Sequence, residues 1–247
     1  MNPFWLLFSL ITVISAVVSA GIMLIRRKFG PQKRAQEDIR PAVFSFFTTL
    51  YAFFIGFAMV TLWTAFLTAK ANVTREAGAM MITYRTAKDL PDSKAFRQAI
   101  VDYLQSVINV EWQQMDRGTM SEEANQHFED IWSRLYELKG GANKLGTLYT
   151  NLTDAERERL SRASVLGGNL YPPVWVILFF GLISVIFGLY YINREQTVVS
   201  LIFEFMMIFL LLSCLYFIVD LDTPFSGLVN VKPEAFQRVY SKILSLP

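Results

Sequence analysis

The sequence predicts an all-α integral membrane protein with four transmembrane helices and a helical aqueous domain. Three observations carry that expectation. Four long apolar blocks (Phe4–Ile25, Val43–Leu67, Val174–Ile192 and Thr197–Val219) can each cross a hydrocarbon core of about 30 Å at about 1.5 Å of helix rise per residue. The chain is 53% hydrophobic and only 18% charged, and its apolar residues come in blocks rather than spread as in a soluble domain. The polar stretch Lys70 to Leu170 shows helical periodicity without competing strand alternation.

The first block lacks a basic n-region and a small-residue cleavage pattern, so it reads as a retained helix. After it comes Arg26-Arg27-Lys28, then Lys33, Arg34 and Arg40 against Glu37 and Asp38. Short basic loops stay cytoplasmic, which puts loop 26–40 inside, together with the turn Asn193–Gln196, and residues 70–171 outside. Lys70, Arg75, Arg85, Arg157, Arg159 and Arg162 flank the spans on the other side and argue the opposite way.

The second span, Pro41 to Ala69, has no charge between Arg40 and Lys70. Helix-compatible composition continues to Leu90 and stops at Pro91, so one long helix is expected to leave the membrane and enter water. Pro91-Asp92-Ser93 is its break. A helix over Lys94–Arg117 comes next, with Phe96, Ile100, Tyr103, Leu104, Val107, Ile108 and Trp112 on one stripe, ended by Gly118. Thr119-Met120-Ser121-Glu122 has capping-box spacing and opens a third helix, with Phe128, Ile131, Trp132 and Leu135, up to Gly140-Gly141. Thr153-Asp154-Ala155-Glu156 repeats the signal before a short helix. Pro172-Pro173 opens the third span, and the fourth runs to Asp220 before the turn Leu221–Gly227. From Pro233, Phe236, Val239, Tyr240, Ile243 and Leu244 form an amphipathic tail. The organisation is therefore 1–69 (spans one and two), 70–171 (aqueous helices), 172–219 (spans three and four) and 220–247 (turn and tail helix).

A net charge of +2 without a long basic tract argues against nucleic-acid binding. His127 and Cys214 are the sole residues of their types, which disfavours a metal or haem centre and a His-dependent triad. No catalytic constellation and no cofactor site is expected.

Several short motifs lie along nearly the whole chain: Arg26-Arg27, Ala71 to Ala77 (ANVTREA), Tyr103 with Glu111-Trp112, and Arg157-Glu158-Arg159-Leu160. Pro172-Pro173-Val174-Trp175 and Leu221 to Gly227 (LDTPFSG), with Val231, Pro233 and Phe236, complete the set. In their order and spacing they resemble the bestrophin-like domain family of bacterial membrane proteins. The resemblance implies a protomer similar to that of bestrophins, which are pentameric, mainly anion-conducting channels with the second span around the pore. No counterpart of the acidic calcium-binding stretch of animal bestrophins is present. Bestrophins also hold the segment after the second span in the cytosol, opposite to what loop 26–40 implies.

On the second span Phe47, Tyr51, Phe54, Ala58, Thr61, Ala65 and Thr68 recur at spacings of four and three and so share a helix face. That face is aromatic at one end and small or hydroxylated at the other, as in a pore with an apolar constriction opening into a wetter section. The same residues would also serve helix packing. Arg75 and Glu76 are candidates for a vestibule charge ring or for inter-helix ion pairs. Glu204 is the one charge inside a span and should be protonated, paired (with Arg194 or a neighbouring helix) or water-facing. Asp220 and Asp222 suit turn and capping roles. The function expected is a passive, anion-conducting homo-oligomeric channel, a pentamer, in the cell's inner membrane, with lipids and inorganic ions as partners. The alternative is a non-conducting scaffold or sensor whose aqueous helices bind a partner.

Overall fold

The computed structural model describes residues 3–29, 40–192 and 197–246, and among these every regular element is helical. The core of the basic loop, 30–39, and the turn Asn193–Gln196, with Arg194, lie outside the described residues. Four helices are long and apolar enough to cross a membrane. They are α1 (Pro3–Phe29), α2 (Arg40–Lys88), α7 (Pro172–Ile192) and α8 (Val198–Asp222). Between and after them lie α3 (Lys94–Ser106), a π turn (Val107–Glu111), α4 (Trp112–Met115), α5 (Glu122–Glu137), α6 (Ala142–Ser164) and α9 (Glu234–Leu244). The chain divides into two compact units, residues 1–62 with 170–222 and residues 63–169 with 223–247.

In the first unit α1 packs on α8 through a face that recurs every three to four residues, Ile11, Ser15, Ser19 and Ile22. Serine at two of those positions lets backbones approach closely, the usual device where lipid supplies no hydrophobic drive between helices. Phe8 meets Phe209 edge-on at 5.5 Å. Close approach is most pronounced on α7, where Gly181 lies under the Tyr51 ring and Gly188 under the Phe44 ring. Large apolar side chains elsewhere on these helices point outward, Phe46 at 73% exposure and Phe180 at 66%, so a single protomer leaves them to lipid or to other copies.

The second unit is built on α3, which packs against α5 and α9, with α6 lying on α5. Its interior holds Phe96, Ile100, Leu104, Phe128, Ile131 and Leu148, each fully or almost fully buried. Burial of a side chain of this size is worth about 1.5–3 kcal/mol. As expected, α2 is one unbroken helix of 49 residues. It ends just before Pro91, and Asp92 takes a left-handed φ of 55° in the turn beyond it. Gly118 likewise turns the chain at φ 81°.

Two capping expectations need correction. The third helix is capped by Ser121, whose Oγ accepts from Ala124 N (3.3 Å), while Thr119 bonds back to Gln114 O. At Thr153 no helix begins, because α6 runs straight through from Ala142. Thr153 Oγ1 donates to Tyr149 O four residues back (2.9 Å), the habit of a mid-helix threonine rather than of a cap.

Candidate functional site

Within the second unit α2, the π turn and α6 bring together a buried group of charges. Periodicity puts them there. On α6 the enclosed side reads Leu148, Leu152, Ala155, Arg159, Arg162, so both arginines continue an apolar face. On α2 the sequence Ala69, Val73, Glu76, Met80 does the same for one glutamate. Ile100, Leu104, Val107 and Glu111 do it for the other, through the π turn, in which Trp112 N–H reaches back to Val107 O. Such a turn adds a residue to the helix and re-aims the side chains beyond it, a feature frequent at functional sites.

Arg162 is fully enclosed and uses all three nitrogens. Its Nε donates to Glu76 Oε2 (2.7 Å) and its Nη2 to Glu76 Oε1 (3.0 Å) and Glu111 Oε1 (2.8 Å), while Nη1 meets Met115 Sδ (2.9 Å). Arg159 donates to the second Glu111 oxygen (2.8 Å) and to Asn125 Oδ1 (2.9 Å). Tyr103 donates its phenol proton to Glu76 Oε1 at 2.5 Å. The rings of Trp112 and Phe236 lie 5.6 and 5.5 Å from the Arg162 guanidinium carbon, and Phe128 lies 5.6 Å from that of Arg159. Two buried carboxylates thus face two guanidiniums, and each isolated charge would be expensive to bury.

The electrostatics are set by that enclosure. Burial, reinforced by the Glu76 carboxylate, holds the Tyr103 phenol well above its ordinary pKa, so it stays a hydrogen-bond donor. Burial works against the charge on Arg162, but Glu76 and Glu111 outweigh it and raise the guanidinium pKa. Arg159 is raised in the same way against its own desolvation, by Tyr103 and Glu111. With Glu76, Glu111 and Arg162 enclosed and paired, the group acts as a bolt joining α2, α3, the π turn and α6.

The family-like motifs meet at this bolt. Glu76 lies in ANVTREA, and Tyr103, Glu111, Trp112 and Arg159 belong to the aqueous motifs. Trp112 also donates its indole N–H to Val231 O (3.1 Å) and packs edge-on against Phe225 and Phe236 from the last motif. Arg162, the hub, was counted in the sequence only as a flanking charge. Its position on the apolar face of α6 was the signal.

The candidate residues of the second span divide. Tyr51 and Ala58 are buried within the protomer, and Tyr51 Oη donates to Leu178 O on α7 (2.7 Å). Phe54, Thr61 and Thr68 are exposed, and Phe47 and Ala65 are intermediate. Within the protomer Tyr51 and Ala58 thus lie on a packing face, the helix-packing role also open to these residues, and a phenol in a span seeks a carbonyl partner. Arg75 and Glu76 also diverge. Arg75 pairs with Glu158 at 2.9 Å on the exposed side, whereas Glu76 is wholly enclosed and has no surface to offer a vestibule. Glu204 is buried at 2% exposure in α8 and is not water-facing within the protomer. Asp222 Oδ1 accepts from Leu170 N (2.7 Å) in the segment before α7.

Compared with known proteins, residues 12–236 match the model of the Bestrophin-like domain. A crystal structure of a bacterial bestrophin homologue from Klebsiella pneumoniae, carrying a point mutation, superposes with a TM-score of 0.72 at 10% identity, over 97% of this chain and 99% of that one. A structure described as a mutated membrane protein matches with a TM-score of 0.74 at 13% identity, over 95% of this chain and 96% of that one. At such identities the likeness concerns the fold. No curated protein sequence matches.

Proposed function

Because the chain belongs to the bestrophin-like family, we propose that it is a passive ion channel assembled as a ring of copies, a pentamer, with α2 around the axis. The observation that supports this most is α2 itself. One helix carries an outward stripe of Phe54, Thr61 and Thr68 along its apolar part and, further along, Glu76 of the Glu76–Arg162 bolt. A pore helix of this kind is held rigid from its aqueous end. Phe54 is the constriction and the two threonines line a wider section that tolerates water. Anions are the expected cargo, by family likeness, and no enzymatic step is assigned.

The division of labour in this reading puts 1–69 and 172–219 in the inner membrane, against lipids and neighbouring copies, and 70–171 with 220–247 in water. Loop density of Lys and Arg puts 26–40 in the cytoplasm and the aqueous helices outside. Cysteine labelling at the exposed Glu123 in a Cys214→Ala background reads the side directly, and labelling of intact cells is the expected result.

Chloride flux through liposomes holding the purified protein tests the reading. Flux above that of empty liposomes supports it; an intact ring without flux under any driving force favours a scaffold or sensor. That second reading has its own support in Tyr136 (75% exposed) and Tyr149 (54% exposed), which flank Trp132 as a partner-sized aromatic surface.

A further inference from the structure

Where the uncharged part of α2 ends, a cavity of about 270 Å³ opens between that helix and the start of α9. Lys70 and Thr74 line it from α2, and Asn230, Lys232 and Arg238 from the other side. Its floor is apolar, formed by Phe66, Val73 and Val231, all buried. Glu234 is the one carboxylate on the wall, against three cations. None of those cations is in an ion pair among the described residues, although Glu234 precedes Arg238 by a single helical turn. Helix α9 also starts here without a side-chain cap, so its first N–H groups add partial positive charge.

Three cations against one carboxylate around an apolar floor suit a ligand with an anionic head and an apolar body. Depth agrees with this. Lys70 is the first charge after Pro41–Ala69, which sets the cationic rim at headgroup level, while Phe66 belongs to the apolar stretch itself. We propose that this cavity binds a phosphate-bearing anion, the headgroup of an anionic phospholipid or free phosphate. An occupant bridges α2 and α9, and α9 carries Phe236, whose ring covers Arg162 of the bolt. The site does not depend on whether the protein conducts.

Binding is measured on the purified full-length protein in detergent with three probes: phosphatidylglycerol, phosphatidylcholine and inorganic phosphate. Lys70→Gln/Lys232→Gln/Arg238→Gln is compared with the parent and with Lys94→Gln/Arg117→Gln/Lys139→Gln, which removes equal charge elsewhere. All six side chains are exposed, and an unchanged elution volume and melting temperature confirm the fold. A cation near an anionic headgroup is worth about a fivefold factor, so the pocket variant is expected to bind phosphatidylglycerol roughly a hundredfold more weakly. The control variant binds as the parent does, and phosphatidylcholine binds poorly to all. Saturable binding of inorganic phosphate alone, lost in the pocket variant, identifies free phosphate as the source of the anion. Equal binding of both anionic probes by parent and pocket variant, or no saturable binding of either, overturns the proposal.

Discussion

Arg162 and Glu76 meet through paired hydrogen bonds of 2.7 and 3.0 Å with both side chains wholly shielded from solvent, and this joins α6 to the C-terminal half of α2. Charge-assisted forked pairs of this kind hold geometry as well as energy. Removing one partner strands the other, which typically costs about 3–5 kcal/mol. Arg162→Met is therefore expected to lower the melting temperature sharply. Glu76→Gln should do so as well, and the double variant should cost less than the sum of the two. Additive costs in that cycle would mean the pair is not coupled.

Tyr103 gives the bolt a signature in pH. Its phenol pKa is raised in the folded protein by burial and by Glu76, whereas the unfolded chain titrates at about 10. The unfolded state then releases a proton that the folded state keeps, so this contribution is full below about pH 10 and is lost as pH climbs from there toward the folded value. Tyr103→Phe keeps the ring and removes the donor, at an expected cost of about 1.5–3 kcal/mol at neutral pH. Its melting temperature should fall less steeply than the parent's above about pH 10. Parallel profiles would exclude Tyr103 as the source.

How much of this was legible in the sequence varies with the physics involved. Spans, the unbroken α2 and the stop at Pro91 are dictated by composition, length and proline, and were readable. The bolt was half-readable: Glu111 and Arg159 stood in motifs, but an acid on an amphipathic helix is usually solvated. Only the count Ile100, Leu104, Val107, Glu111 puts it on the buried side. Tyr51 illustrates the opposite limit. Its helix face could be read, but not which neighbour that face meets, because Leu178 O is 127 residues away in sequence.

Glycine supplies a prediction on the spans. A Cβ at Gly181 would run into the Tyr51 ring, and at Gly188 into the Phe44 ring, whereas Gly21 and Gly56 face open space. Gly181→Ala and Gly188→Ala are expected to destabilise by about 1–3 kcal/mol through overpacking. Gly21→Ala and Gly56→Ala should be tolerated within the protomer. Thermal melts of the four variants in one detergent make the comparison, and equal losses at all four would contradict the packing seen at α7.

Phe54 and Phe53 are neighbours with different expected roles. Phe54 is 38% exposed and Phe53 68%, with their rings edge-on at 6.3 Å. A ring of Phe54 side chains would form an apolar constriction from which water and ions withdraw. Phe54→Ala is expected to open a leak in liposome flux, and Phe53→Ala is not. Thr61→Ala should alter selectivity more than conductance, since the hydroxyl replaces part of an ion's hydration. A Phe53→Ala leak equal to that of Phe54→Ala would move the axis to another face of α2.

Assembly is the claim on which all of this turns, and a particle average of the purified protein in lipid nanodiscs addresses it most directly. The expected image is a closed ring of copies, five by family likeness, with α2 innermost around a continuous axial hole and the bolt of each copy at its aqueous end. A monomer, an open chain of copies, or a ring with α1 or α8 at its centre would contradict a pore built on α2.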